Sequence, residues 1–122
     1  MPERAAAAAP GPVVPRGGAL EIKEAQQLAW QNKIAKGFNT SDVPLEFMLL
    51  HGEVAESFQA WRRAQPDLGE ELADVALYLF ALAEMNGVDL EVEIEQKITK
   101  NARRQYTHDS NGVLFRVSEG SA

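Results

Sequence analysis

The hydrophobic pattern of the chain is helical. From about residue 20 onward apolar residues recur at spacings of three and four, and the alternation typical of strands is nearly absent. The pattern predicts four helices: residues 20–36, a second from Ser41 or Asp42 to about residue 63, a third over 67–86 and a fourth over 89–106. Connections of about 3–7 residues favour antiparallel neighbours. The expected fold class is all-α, a four-helix antiparallel bundle.

Boundary residues support these helices. Gly37 and the pair Asn86-Gly87 follow the first and third helices, where a left-handed residue commonly ends a helix. Pro44 is tolerated in the first turn of the second helix. Asp67, with Glu70 three residues later, predicts an acidic variant of the capping box at the third helix.

The two ends of the chain differ from the helical part. Residues 1–19 are rich in Ala, Pro and Gly and are expected to be disordered. Residues 20–106 form the expected helical domain. In the tail, 107–122, a turn signal at Asn111-Gly112 precedes an apolar run over 113–117, which is compatible with a short hairpin and equally with a frayed end.

The third helix is apolar on nearly all sides between residues 72 and 83. Such a helix has to be covered on all sides, and a helical domain of this size buries only a limited fraction of its surface. We therefore expect a homo-oligomer, a dimer or tetramer, with the third helix near the shared core. The alternative is a central helix in a monomer.

Composition excludes several classes of function. The 122 residues contain no cysteine, so there is no disulfide framework, no thiolate zinc site and no cysteine nucleophile. Twelve basic against 18 acidic residues give a net charge of -6, which argues against a nucleic-acid partner. No apolar run is long enough to cross a membrane, and the Ala5–Ala9 run is too short for a signal peptide. A cytoplasmic location is expected.

The acidic residues form a pattern on two consecutive predicted helices. Glu53 and Glu56 lie on the second, and Glu71 and Asp74 on the third, each pair three residues apart and therefore on one face. Facing pairs would bring four carboxylates together, which requires a cation between them. Oxygen ligands without His or Cys favour Mg²⁺, with Mn²⁺ as a second possibility. Either pair alone is equally compatible with an exposed, solvated helix face.

A basic segment follows the acidic one. Residues 46–95 carry a net charge of -10, and residues 96–106 carry +4. Lys97, Asn101 and Arg104 are spaced to share one face of the fourth helix. Cations near a helix C-terminus also complement its dipole, but beside a metal cluster such donors suit a polyphosphate.

The four acids, with fourteen residues between the pairs, and the downstream Lys, Asn and Arg resemble the MazG-like all-α nucleoside triphosphate pyrophosphatases. The resemblance covers residues 50–104. It implies a dimer or dimer of dimers that hydrolyses a nucleoside triphosphate to the monophosphate and pyrophosphate. It also implies that the four acids hold Mg²⁺ and that the basic-segment residues meet the phosphates. These matched positions are Glu53, Glu56, Glu71, Asp74, Lys97, Asn101 and Arg104.

Catalytic and base-binding roles follow as hypotheses. Glu53 or Glu56 would orient the attacking water, and Trp30, Phe38 and Trp61 are candidates to stack on the base, although aromatic residues at helical spacing are usually core. A role in nucleotide-pool house-cleaning would fit. The alternatives are a non-catalytic partner-binding or regulatory module and a hydrolase similar to phosphoribosyl-ATP pyrophosphatase.

Overall fold

The computed structural model describes residues 9–15, 17–118 and 120. These residues contain four helices and two strands, so the prediction of a mainly helical fold with four helices is confirmed. In chain order the elements are α1 (Ile22–Lys36), α2 (Val43–Arg62), α3 (Leu68–Met85), α4 (Leu90–Arg103), β1 (Gln105–His108) and β2 (Leu114–Ser118). The chain divides into two compact units, Met1–Leu90 and Glu91–Ala122.

Three of the predicted helix boundaries are confirmed by local geometry. The Asp42 carboxylate accepts a hydrogen bond from the Leu45 N–H at 3.0 Å and caps α2. Gly37 and Gly87 have φ angles of 71° and 66°, and both end their helices in the left-handed region. Glycine is favoured there because it has no Cβ to clash with the carbonyl oxygen.

Two boundary predictions are wrong. The Asp67 side chain makes no capping hydrogen bond, because Asp67 has backbone angles near the helical region (φ -92°, ψ 13°) rather than the extended angles of an N-cap. The fourth helix ends at Arg103 instead of about residue 106. Residues from Gln105 onward pair with a second strand, which satisfies their backbone groups in a ladder instead of a further helical turn.

The first unit is built around α3, which packs against both α1 and α2. Its buried apolar residues are mostly small, and small side chains let helix backbones approach closely; they are Ala25, Ala60, Ala81, Leu82 and Ala83. The Gln26 side chain joins α1 to the end of α3 and the connection after it through hydrogen bonds. Its amide donates to Val88 O at 2.7 Å and Glu84 Oε1 at 3.2 Å, and it accepts from Leu90 N–H at 3.1 Å.

The second unit consists of most of α4 and an antiparallel hairpin, in which Tyr106 pairs with Arg116 and His108 with Leu114. The turn is organised by Asp109, whose carboxylate accepts hydrogen bonds at 2.9 Å from the N–H groups of Asn111 and Val113. Of the two alternatives for this tail, the described residues have the hairpin.

Two further observations concern the rest of the chain. The prediction of disorder for residues 1–8 and for Arg16 lies outside the described residues. Among the described helices, none combines the length and hydropathy needed to cross a membrane.

Candidate metal centre and nucleotide pocket

An acidic cluster lies where α2 packs against α3. Carboxylate oxygens of Glu53, Glu71 and Asp74 lie within 4.8 Å of one another, and all three residues are half-buried. Glu56, one turn after Glu53, is exposed and is not among the three converging carboxylates, although its charge contributes to raising the pKa of Glu53. Three of the four predicted carboxylates therefore converge, because the five-residue connection 63–67 returns the chain alongside α2.

The electrostatics of the cluster are unfavourable without a cation. The pKa of Glu53 is raised above its ordinary value of 4.5 by desolvation first, and then by the charges of Glu56 and Asp74. The pKa of Glu71 is also raised, again by desolvation first and then by Glu56 and Asp67. Burial and negative neighbours both disfavour the ionised form. A bound divalent cation would reverse both effects.

The residues present fit a divalent cation. Glu71 Oε2 is buried and has no hydrogen-bond partner, so it is an acceptor that the protein itself leaves unsatisfied. The cluster offers only carboxylate oxygens, the ligands that Mg²⁺, Mn²⁺ and Ca²⁺ prefer. An acceptor-only set of this kind selects for hard cations.

The cluster opens into a pocket of about 450 Å³. Glu53 and Asp74 form part of its acidic lining, and Leu28, Phe38 and Leu77 are among its apolar residues. Tyr78 also lines it, and the pKa of Tyr78 is raised by desolvation first and then by Glu53 and Glu46. A volume of this size with one acidic and one apolar part suits a ligand with a charged end and a ring.

A buried ion pair in the pocket wall was not foreseen from the sequence. Lys33 Nζ lies 2.7 Å from Glu46 Oε2 and 3.0 Å from Glu46 Oε1, and the Glu46 side chain is fully buried. Asn39 Nδ2 donates to Glu46 Oε1 at 3.4 Å, and Lys33 Nζ lies 5.6 Å from the centre of the Tyr78 ring. The available signal was that Lys33 stands seven residues after Gln26, on the stripe of α1 that faces the core.

The other predicted site residues divide into two groups. Phe38 lines the pocket, whereas Trp30 and Trp61 do not. Trp61 is exposed and lies against Phe58, with ring centres 6.0 Å apart.

The predicted phosphate-binding residues belong to the second unit. Lys97 and Asn101 lie on exposed positions of α4, and Arg104 directly follows that helix. Arg104 Nη1 donates to Asn101 Oδ1 at 3.0 Å, so these two residues are neighbours. Their role toward phosphate stays a prediction.

Comparison with known proteins gives one match. No curated protein and no solved structure matches this chain. The model of the MazG-like family matches residues 45–113, a span that contains all four acids and Lys97, Asn101 and Arg104. This span is more than half of the 122 residues, and it confirms the resemblance seen in the sequence. The chain therefore belongs to the MazG-like family.

Proposed function

We propose that this protein is a Mg²⁺-dependent nucleoside triphosphate pyrophosphohydrolase of the cytoplasm. It would cleave an NTP or dNTP to the monophosphate and pyrophosphate, as a house-cleaning enzyme of the nucleotide pool. The observation that carries the proposal is the convergence of three carboxylates at 4.8 Å or less beside a 450 Å³ pocket with an apolar part. Family membership supports the same class of reaction.

The acids would hold the cation. Glu53, Glu71 and Asp74 offer converging oxygens, and Glu56, one turn after Glu53 on α2, would supply a fourth carboxylate. When bound, Mg²⁺ supplies charge neutralisation of the triphosphate and lowers the pKa of a coordinated water. Mn²⁺ would substitute, because it shares the preference for oxygen ligands.

The remaining steps belong to side chains of this chain. Glu53 or Glu56 would orient a water for in-line attack on the α phosphorus and accept its proton. Lys97, Asn101 and Arg104 would bind the phosphates and balance the charge of the departing pyrophosphate. Phe38 would contact the base in the apolar part of the pocket.

The test is a panel of canonical and modified NTPs and dNTPs with Mg²⁺, scored for both products. Monophosphate plus pyrophosphate supports the proposal. Diphosphate plus phosphate would place the cleavage at another bond, and stoichiometric Mg²⁺ binding without any turnover would favour a non-catalytic binding module. A phosphoribosyl nucleotide in the panel covers the remaining alternative.

Variants then test the site. Asp74→Asn and Glu56→Gln are expected to lower kcat by at least about 100-fold, with unchanged helical circular dichroism. Glu70→Gln is the matched control, because Glu70 is exposed and adjacent to Glu71 yet is not among the converging carboxylates. Wild-type activity in both site variants would refute the assignment.

We also propose that the protein is a homo-oligomer, a dimer or tetramer. In the single chain, large apolar residues of α2 and α3 stay exposed at helical spacing: Phe47, Val54, Phe58 and Trp61 on α2, and Leu72 and Leu79 on α3. Several large apolar residues left exposed on two packed helices support an interface there. Light scattering after size exclusion should give a multiple of 13.4 kDa, and Phe58→Glu should reduce it. A wild-type monomer would contradict the proposal.

A further inference from the structure

The segment before α1 contributes to the pocket. Pro12 and Val14 both belong to the pocket lining, although they precede the first helix by eight residues or more. This segment lies outside residues 45–113, which match the family model.

The segment lies beside the later part of α1. Residues 17 and 18 form a turn before the helix, and Gly17 has a φ of 84°. Asn32 lies about 15 Å along α1 from Ile22, at 1.5 Å per residue. Gly11 lies against Asn32, so residues 11–14 meet the pocket about ten residues into α1.

Gly11 seats the segment on α1. A Cβ at Gly11 would overlap Asn32 Oδ1 and lie only 3.2 Å from Asn32 Cγ. The backbone of Gly11 does not require glycine, because its φ is not in the left-handed region. Glycine is needed here for space: it lets the main chain lie directly against Asn32, which also lines the pocket.

The chemistry of the segment indicates which part of a ligand it would contact. Residues 9–15 are Ala-Pro-Gly-Pro-Val-Val-Pro, so none of their side chains carries a charge or a donor for a triphosphate. Val14 is 50% exposed, which leaves apolar surface for a ligand to cover. Three prolines restrict the free chain and reduce the entropy lost when it is held in place.

We propose that residues 11–14 form a wall of the base subsite and bind the nucleobase of the substrate. This inference rests on the proposed pyrophosphohydrolase function and adds a specificity-determining segment to it. The wall contacts the base and not the metal-binding acids, so its loss should weaken substrate binding while leaving the chemical step intact.

The first test compares two glycine variants. Gly11→Val introduces a side chain that displaces the segment from Asn32, and KM should rise about tenfold, the loss of roughly one well-buried apolar contact. The value of kcat should stay within about twofold. Gly18→Val is the matched control, because a Cβ at Gly18 meets nothing within 4 Å and its φ is not positive. Equal KM values for the two variants would overturn the proposal.

The second test locates the segment without relying on activity. A Cβ at Gly11 would lie 3.6 Å from Asn32 Cβ, within the usual Cβ–Cβ range for a disulfide. The chain has no cysteine, so a Gly11→Cys/Asn32→Cys protein can form one intramolecular bond only. Oxidation should remove both free thiols in a thiol titration, and the denatured, unreduced protein should keep the mass of a single chain. Persistent free thiols would overturn the placement.

The two tests separate this inference from the function on which it rests. An active wild-type enzyme whose Gly11→Val variant behaves like Gly18→Val would overturn only the base-subsite wall. The double-cysteine variant could form its disulfide while the wild-type protein hydrolyses no nucleotide. That result would overturn the proposed function, and with it the substrate role of the segment, but not the placement of the segment.

Discussion

The buried pair of Lys33 and Glu46 gives the sharpest prediction on stability. Glu46 is fully buried and Lys33 is 7% exposed, so neither charge can be solvated by water if its partner is removed. Breaking such a pair typically costs about 3–5 kcal/mol, because one uncompensated charge stays in the interior. We expect a loss of this size for Glu46→Leu and for Lys33→Met.

The double variant distinguishes the pair from ordinary packing. Lys33→Met combined with Glu46→Leu removes both charges and both desolvation costs, so its free energy of unfolding should return to within about 1–2 kcal/mol of the wild type. The assay is urea denaturation followed by circular dichroism at neutral pH, with all four proteins compared as a double-mutant cycle.

A surface pair provides the control. Lys23 and Asp89 lie 3.8 Å apart with side chains 59% and 42% exposed. Exposed pairs of this kind contribute about 0–1 kcal/mol, so Lys23→Met should have little effect. Losses below about 1 kcal/mol for both single variants at Lys33 and Glu46 would refute the reasoning, since a buried charge would then cost no more than an exposed one.

Three other predictions concern a cap, a hydrogen-bonding residue and pH. Ala64 has a φ of 53° at the end of α2, a left-handed conformation that is strained for alanine and not for glycine. Ala64→Gly should therefore raise the free energy of unfolding by about 0.5–1 kcal/mol in urea denaturation. A lower free energy of unfolding would contradict this. Gln26→Ala removes three hydrogen bonds between α1 and the α3–α4 connection and should cost about 2–3 kcal/mol, against little for the exposed neighbour Gln27→Ala. Because the pKa values of Glu53 and Glu71 are raised in the fold, the metal-free folded state binds more protons than the unfolded state above pH 4.5. These two acids therefore lower the metal-free free energy of unfolding as pH rises through their raised pKa values. Protons compete with Mg²⁺ for the same carboxylates, so calorimetry should show the Mg²⁺ affinity falling as pH falls toward 4.5. An affinity that does not change with pH would contradict this.

The acidic cluster lowers the stability of the metal-free protein at the proposed metal site. Without a cation, Glu53, Glu71 and Asp74 repel one another in a half-buried setting. A divalent cation would relieve this repulsion on binding. The carboxylates that destabilise the metal-free protein would therefore increase its affinity for the ion. Glu71→Gln should accordingly remove Mg²⁺ binding without lowering metal-free stability.

Local sequence determined the helices and most of their ends. The glycines Gly37 and Gly87 act through their own backbone angles, and Asp42 acts on a partner three residues away. Their effects can therefore be predicted from the local sequence. The proximity of Glu53 and Asp74 was also predictable. Two i, i+3 pairs on consecutive helices with a short connection can face each other in few arrangements. The family match is likewise a property of the sequence, and its span includes these residues.

Only the tertiary structure decided the features that depend on distant parts of the chain. Lys33 and Glu46 look like ordinary charged residues until α1 and α2 bring them within 2.7 Å in a buried position. The composition of residues 9–15 gives Gly11 no partner, and only the fold shows it against Asn32. Burial and contact are properties of the packed chain, so a charge or a glycine acquires its role only when the fold determines which groups surround it.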